Sequence, residues 1–343
     1  MSWAWVAFLG SASLIVVAGT ALSRAADVIA EKSRLGGLWV GSILLAGATS
    51  LPEAVTSLSA GVMGLPDIAV GNVFGSIVFN LFILALADLF EGRGSILRKV
   101  SAGHILSAAL GMILAAIAAL AILLRMPASI GWIGWDTVLI VTVYVFGVRL
   151  MTRYSHREPE EQAQVAIDPA PPWIEKRRRR NEREPGMSLG RASVVFAAAG
   201  AVVTVAGVVL SRAADALAET TGLGATFIGS SLVAAATSLP EVVATMSAAM
   251  AGSLELAVGN IFGSNIFNVV ILLLADVVYR PGPILSVVEQ SHATVALFGI
   301  VMSGIALIGL FYRSQRSFGR LGPDSVALVI AYWASMYLLY VSR

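Results

Sequence analysis

The chain of 343 residues is strongly apolar, since 57% of its residues are hydrophobic and only 13% carry a charge. An average soluble domain carries about 25% charged residues, so the composition excludes an ordinary soluble protein and predicts an integral membrane protein. The formal net charge is only +2, and the basic residues concentrate beside apolar stretches, where they indicate membrane topology rather than nucleic-acid binding. The chain contains no cysteine, which excludes disulfide bonds and thiolate metal sites.

Ten apolar stretches are long enough to cross a bilayer as helices, a length of about 20 residues. In chain order they cover residues 3–23, 37–63, 67–90, 102–124, 130–150, 190–210, 225–251, 255–279, 292–312 and 323–341. The first has no basic segment before it and no convincing cleavage site after it, so we interpret it as a retained span rather than a signal peptide. The predicted fold is therefore an all-α integral membrane protein with ten transmembrane helices.

One hydrophilic stretch, residues 152–189, interrupts the apolar pattern and contains the basic run Lys176–Arg180. Because basic loops face the cytoplasm, we place this linker in the cytoplasm, which puts both termini outside; binding of anionic lipid is an alternative role for the basic run. The predicted organisation is a five-helix repeat over 1–151, the linker, and a second repeat over 190–343, all in the cytoplasmic membrane.

The two halves of the chain repeat one another at an offset of 188 residues, the separation of Glu53 and Glu241. Thr49–Glu53 (Thr-Ser-Leu-Pro-Glu) returns as Thr237–Glu241, and Gly71–Ser76 returns with one conservative change as Gly259–Ser264. Because each half holds five predicted helices, the second copy should enter the membrane upside down relative to the first. Inverted repeats are typical of secondary transporters, whose substrate site lies near the midplane where broken helices of the two halves meet.

Each copy of the repeated motif places an acid directly after a proline. Proline has no N–H for the carbonyl four residues earlier, and its ring clashes with that carbonyl, so we expect broken helices at Pro52 and Pro240. An ionised side chain at mid-membrane costs about 2.5–3.5 kcal/mol on insertion scales, and no Lys or Arg lies in these helices to pair with Glu53 and Glu241. A bound cation or protons must therefore compensate the two acids.

The polar residues of the motifs are hard oxygen donors, which favour Ca²⁺, Na⁺ or Mg²⁺ over zinc or copper. Two carboxylates neutralise one Ca²⁺, and Na⁺ ions could occupy the same oxygens in alternation. Besides Glu53 and Glu241, the candidate ligands are Thr49, Ser50, Ser76, Asn80, Thr237, Ser238, Ser264 and Asn268.

Other polar pairs that match across the repeat are interpreted as structural. The asparagines act as helix caps or hydrogen-bond struts, while the histidines and aspartates lie near the ends of spans, at the membrane interface. Proton handling is the alternative for the histidines. The pairs are Asn72 with Asn260, His104 with His292, and Asp88 with Asp276.

At these motifs the chain resembles the cation/Ca²⁺ exchanger superfamily and, within it, the Na⁺/Ca²⁺ exchanger family. The resemblance rests on the two alpha-repeats, each an Ala-to-Glu motif followed by the Gly-Asn-x-Phe-Gly-Ser motif and an asparagine. In this chain they are Ala46–Glu53 with Gly71–Ser76 and Asn80, and Ala234–Glu241 with Gly259–Ser264 and Asn268.

The resemblance implies an antiporter that exchanges several Na⁺ for one Ca²⁺, without enzymatic activity or a cofactor. It implies that Glu53 and Glu241 are the shared carboxylates and that the Thr49 and Thr237 carbonyls complete the Ca²⁺ shell. The implied Na⁺ ligands are Ser50, Ser238, Ser76, Ser264 and the carbonyls of Ala46 and Ala234, with Asn80 and Asn268 at the centre.

Two positions bear on how closely the pattern is followed. Asn268 stands where some prokaryotic exchangers and the K⁺-dependent branch of the superfamily carry Asp, and in this respect the chain resembles the K⁺-independent branch. Residue 77 is Ile where the second repeat has Asn265, so the two halves are not equivalent.

The nearest alternative function is H⁺/Ca²⁺ exchange, in which protonation of the glutamates replaces Na⁺ binding. A passive cation channel and an intramembrane hydrolase are remote alternatives. The expected partners are Ca²⁺ and Na⁺ as substrates and the membrane lipid, with neither nucleic acid nor an obligate protein partner.

Overall fold

The computed structural model describes residues 2–32, 46–91, 95–155, 187–250, 252, 254–313 and 321–341. These residues are almost entirely helical, as expected where the surroundings offer the backbone no hydrogen bonds of their own. Within the described ranges there are two short strands of two residues each, Ser129–Ile130 and Ile133–Gly134, which pair antiparallel.

Within the described ranges each half of the chain forms a set of six helices, and the helices of the second half correspond in order to those of the first. The first set is α1 (Ser2–Lys32), α2 (Ala46–Thr49), α3 (Leu51–Val62), α4 (Pro66–Glu91), α5 (Gly103–Leu124) and α6 (Trp135–Ser155). The second set is α7 (Leu189–Thr221), α8 (Ala225–Thr237), α9 (Leu239–Met250), α10 (Leu254–Val278), α11 (Ser291–Tyr312) and α12 (Pro323–Val341). Short turns, Ile96–Lys99 and Ile284–Val287, precede α5 and α11.

Helices α4 and α10 form the centre of the bundle. Their spans are 72% and 67% buried, against 22% for α6 and 28% for α12, which therefore lie at the rim. Around the centre, α1 packs along α7, α5 packs along α11, and α3 and α9 contact both central helices. The broken helices are thus held against the most buried part of the fold.

Glycines bring α4 against the backbone of α8. A Cβ atom at Gly75 would lie 2.3 Å from the Ser230 carbonyl oxygen, and one at Gly71 would lie 3.1 Å from the Ser230 backbone nitrogen. Ser230 belongs to the π-helical turn Gly229–Val233 within α8. Small residues allow such close contact between membrane helices, so the glycines of the repeated motif set the distance between α4 and α8.

Eight helices in the described ranges are long and apolar enough to cross a membrane, and the bent pair of α8 and α9 would make a ninth. The second predicted span, 37–63, falls partly outside the described residues, which resume at Ala46. The predicted linker 152–189 also lies mostly outside them, although α6 continues to Ser155 and α7 begins at Leu189.

Helices α1 and α7 extend well beyond their predicted ends at residues 23 and 210, to Lys32 and Thr221. Each continues through a Ser-Arg-Ala-Ala-Asp segment. Alanine and arginine favour helix while the charges end the apolar stretch. Hydropathy therefore locates the end of the apolar segment and not the end of the helix.

Asp276 is buried at the end of α10 and joins three segments of the chain. Its Oδ1 accepts from the Ile284 N–H at 2.7 Å, and its Oδ2 accepts from the Gly134 N–H and the Thr137 hydroxyl, both at 2.7 Å. Asp88 repeats this pattern at the end of α4, with Ile96 at 2.8 Å, Gly322 at 3.1 Å and Ser325 at 2.5 Å. The pair therefore stabilises the fold at the ends of the central helices.

Candidate cation-binding site

Both Thr-Ser-Leu-Pro-Glu motifs coincide with a break between two helices. Helix α2 ends at Thr49 and α3 begins at Leu51, while α8 and α9 meet around Ser238 at a bend of 46°. Glu53 and Glu241 lie in the first turns of α3 and α9, where unpaired N–H groups favour a negative charge. In each glutamate the backbone N–H also lies against the residue's own carboxylate. The breaks therefore place both acids at positive helix ends.

The two carboxylates are each held by a hydroxyl of the opposite half. The Ser238 hydroxyl donates to Glu53 Oε1 at 2.7 Å, and the Ser50 hydroxyl donates to Glu241 Oε1 at 3.1 Å. Ser264 donates a longer bond, 3.4 Å, to the same Glu241 oxygen. The two acids are close enough for their charges to interact. The halves thus form one interlocked acidic site.

Several buried oxygens of the predicted ligand residues have no hydrogen-bond partner within the described parts of the chain. They are Glu53 Oε2, Glu241 Oε2, Ser76 Oγ, Asn80 Oδ1 and Asn268 Oδ1. Those of Asn80 and Asn268 lie one helical turn beyond Ser76 and Ser264 on α4 and α10. Ser76 lies beside the Glu53 carboxylate but outside hydrogen-bonding geometry. A buried polar atom without a partner costs about 1–3 kcal/mol, a cost that a bound ion would remove. Hard cations such as Ca²⁺ take oxygen ligands of this kind.

Asn72 links the two halves beneath the Glu53 carboxylate. Its amide nitrogen donates to the Glu53 carbonyl oxygen at 3.2 Å and to the Ser57 hydroxyl at 2.9 Å. Its amide oxygen accepts from the Thr237 hydroxyl at 3.0 Å. Asn72 is therefore a strut between α3 and α8, one of the two roles that the sequence left open.

Asn260 forms the equivalent link in the second half. Its amide nitrogen donates to the Thr245 hydroxyl at 3.1 Å, and its amide oxygen accepts from the Thr49 hydroxyl at 3.3 Å. The hydroxyls of Thr49 and Thr237 are therefore both bonded to asparagines. These bonds leave available the carbonyl oxygens of the two threonines, which are the oxygens that the family resemblance implies as ligands.

Each predicted ligand residue is fully buried. Hydrogen bonds connect the glutamates with Ser50, Ser238 and Ser264, and a 3.4 Å contact connects Ser264 with Thr49. The Ala46 and Ala234 carbonyls lie one turn before the breaks, where each accepts from a threonine hydroxyl at 3.2 Å. Asn80 donates to Asn265, a residue outside the predicted set, at 3.0 Å.

Histidine–carboxylate pairs occur at the starts of the central helices, and the sequence analysis did not identify them. His104 Nε2 lies 2.8 Å from Glu255 Oε2, and His292 Nε2 lies 3.0 Å from Asp67 Oδ1. Both histidines lie in the first turns of α5 and α11, at the ends of these helices, and are fully buried within the protein. Asp67 and Glu255 are themselves matched at the repeat offset of 188 residues, a signal that could have revealed the pairs.

In the described part of the chain, no three His, Cys, Asp or Glu side chains form a metal-binding group. The candidate site therefore depends on two carboxylates supplemented by neutral oxygens, a donor set that suits Ca²⁺ or Na⁺ better than zinc. A helical membrane protein that buries two acids among such oxygens at broken helices has the architecture of a cation transporter.

The chain belongs to the sodium/calcium exchanger protein family, whose model matches residues 3–153 and 191–341. The resemblance recognised in the two repeats is thereby confirmed, and so is the prediction of a membrane transporter rather than an enzyme. The chain is 27% identical over 337 residues to the inner membrane protein YrbG of Escherichia coli K12, covering 95% of this chain and 96% of that protein.

Two solved exchangers share the fold. The sodium-calcium exchanger NCX_Mj, soaked with Na⁺ and Sr²⁺, matches with a TM-score of 0.62 and 20% identity over 97% of each chain. An H⁺/Ca²⁺ exchanger, CAX, matches with a TM-score of 0.71 and 16% identity over 98% of this chain and 85% of that one. Exchangers that use Na⁺ and H⁺ as the counter-ion thus share one fold, so the fold by itself does not identify the counter-ion.

Proposed function

We propose that this protein is a secondary active antiporter that exchanges Na⁺ for Ca²⁺ by alternating access around a site formed by Glu53 and Glu241. The observation that carries the proposal is the crossed pair of buried glutamates, each bonded to a serine of the other half and each with a free oxygen. Two carboxylates balance one Ca²⁺, and hydroxyl, amide and carbonyl oxygens bring the ligand number toward the six to eight that Ca²⁺ takes.

The proposed ligands divide between the two ions as the family resemblance implies. Ca²⁺ is held by the Glu53 and Glu241 carboxylates and the Thr49 and Thr237 carbonyls. Na⁺ uses the same carboxylates with flanking oxygens, and Asn80 and Asn268 complete the centre. The flanking oxygens belong to Ser50, Ser76, Ala46, Ser238, Ser264 and Ala234, all of them fully buried.

Coupling follows from the cost of burying charge. An empty site holds two carboxylates in a buried environment, and moving such charges past one another is unfavourable unless a cation neutralises them. Because Ser50 and Ser238 each bond the acid of the opposite half, any movement of one half against the other changes the surroundings of both acids. A loaded site can therefore pass between the two access states, whereas an empty site resists the change.

The proposed topology has ten transmembrane helices in two inverted repeats, 1–151 and 190–343, in the cytoplasmic membrane. The linker 152–189 is cytoplasmic and both termini lie outside. The contacts between helix ends support the inverted relation of the two repeats: it puts His104 and Glu255 together at one side of the membrane, and His292 and Asp67 together at the other, where each pair is in contact. The assignment of the sides rests on the basic residues of the linker and loops.

The deciding experiment measures ⁴⁵Ca²⁺ uptake by proteoliposomes that contain the purified protein. Uptake should require Na⁺ inside the vesicles and should stop when internal Na⁺ is replaced by choline at constant pH. Uptake driven by a pH gradient and indifferent to Na⁺ would show H⁺/Ca²⁺ exchange instead. Uptake without any counter-ion would show a channel, and either result would overturn the proposal.

A further inference from the structure

The repeat is broken beside the central asparagines of the site. Ser76 is followed by Ile77 in the first half, whereas Ser264 is followed by Asn265 in the second. Both Ile77 and Asn265 are buried. Asn265 has a hydrogen bond at its Oδ1 but none at its Nδ2 among the described residues, and a buried amide ordinarily has partners at both ends, so the change from Ile to Asn calls for a physical reason.

The two side chains make different contacts. Ile77 packs against α11, where its Cγ2 lies 3.0 Å from a Cβ placed on Gly299. At the equivalent Gly111 of α5, the only atom within 4 Å of such a Cβ is Cγ1 of Ile266. Asn265 therefore does not occupy the position that Ile77 takes against the neighbouring helix, and its Oδ1 accepts from Asn80 Nδ2 at 3.0 Å.

This bond gives the two central asparagines different surroundings. The donor end of Asn80 is engaged by Asn265, so its Oδ1 remains as the end without a partner among the described residues. In Asn268 both amide atoms lack a hydrogen-bond partner among the residues that the structure describes. Ile77, at the position equivalent to Asn265, offers no acceptor that could fix the Asn268 amide.

We propose that Asn265 is a positioning residue that orients the Asn80 amide with its oxygen toward the transported cation. An amide bound the other way round would direct N–H groups at the cation and repel it, so orientation decides whether Asn80 is a ligand at all. No hydrogen bond from the described residues fixes which end of the Asn268 amide faces the cation. The first half thus supplies a preset amide ligand and the second half an adaptable one, an inference that rests on the proposed transport site.

The test is a double-mutant cycle between Asn265 and Asn80, measured by equilibrium dialysis of ⁴⁵Ca²⁺ against the purified full-length protein. Asn265→Leu removes the acceptor but keeps the branching of the side chain, and Asn265→Ile reproduces the first repeat. We expect either substitution to weaken Ca²⁺ binding about fivefold, the value of one typical hydrogen bond. In an Asn80→Ala background the same substitutions should change binding less than twofold, because the amide to be oriented is absent.

Ser335→Ala is the matched control, since Ser335 on α12 is also buried and its hydroxyl also lacks a partner among the described residues. It should bind Ca²⁺ like the wild type. Equal losses in both backgrounds, or no loss in either, would overturn the role of Asn265. Absence of Ca²⁺ binding by the wild-type protein would instead count against the proposed function itself, so the two failures are distinguishable.

Discussion

Replacing Glu53 with glutamine removes one charge from the site and little else. The Glu53 side chain is fully buried, its Oε1 accepts from Ser238 at 2.7 Å, and its Oε2 has no partner in the described part of the chain. A glutamine amide oxygen can still accept from the Ser238 hydroxyl. Glu53→Gln therefore isolates the electrostatic contribution of the carboxylate to ion binding.

The expected loss is large because the site contains only two acids. At an effective dielectric constant of about 20, two unit charges about 4 Å apart interact by about 4 kcal/mol. A loss of that size corresponds to roughly thousandfold weaker binding. We therefore expect Na⁺-dependent ⁴⁵Ca²⁺ uptake by Glu53→Gln proteoliposomes to fall to background, and the same result for Glu241→Gln.

The control is Glu219→Gln, which removes an exposed acid near the end of α7 and should leave uptake unchanged. Thermal unfolding of the purified variants separates loss of ion binding from loss of folding. Normal uptake by a folded Glu53→Gln protein would refute the reasoning, since the account assigns half of the negative charge of the site to Glu53.

Three further substitutions address the site and its support. Ser238→Ala removes a hydroxyl bonded to a carboxylate, a bond worth about 1.5–3 kcal/mol, and should raise the half-saturating Na⁺ concentration about tenfold in the flux assay; an unchanged Na⁺ dependence would remove Ser238 from the ligand set. Gly75→Ala places a Cβ 2.3 Å from the Ser230 carbonyl oxygen, whereas Gly10→Ala meets nothing within 4 Å. Only the first should lower the unfolding temperature, by the equivalent of about 1–3 kcal/mol, and equal effects would contradict the close packing of α4 on α8. Asp276→Ala deprives three donors of their acceptor and should cost about 3 kcal/mol of stability while the folded protein binds Ca²⁺ normally; weakened binding at full stability would show that the residue acts on the ion.

The repeated motif alone predicts the two acids and their neighbouring oxygens as a candidate site. An acid in an apolar stretch costs free energy when it is placed in the membrane. Two copies of such an acid beside a proline therefore indicate that one bound ion compensates both. Which serine would meet which acid could not be predicted, because the crossed bonds of Ser50 and Ser238 arise from the approach of one half to the other. Sequence spacing describes neighbours within a helix, not contacts between halves.

The contacts made by residues at the ends of spans were the least predictable. Hydropathy places His104 and His292 at the membrane interface because the apolar stretches begin beside them. Their burial results from tertiary contact with Glu255 and Asp67, which no local pattern encodes. The predicted ends of α1 and α7 were wrong for a related reason. Both helices continue through charged residues after the apolar segment ends.

Competition between Na⁺ and Ca²⁺ for the purified protein tests the central claim most directly, because the account has both ions use the Glu53 and Glu241 carboxylates in turn. Bound ⁴⁵Ca²⁺ should be displaced by Na⁺ at constant ionic strength and pH, with a cooperative dependence on the Na⁺ concentration. In Glu241→Gln neither ion should bind in the range that saturates the wild type. Na⁺ that leaves Ca²⁺ binding unaffected, or that binds alongside it, would contradict a site shared by the two ions.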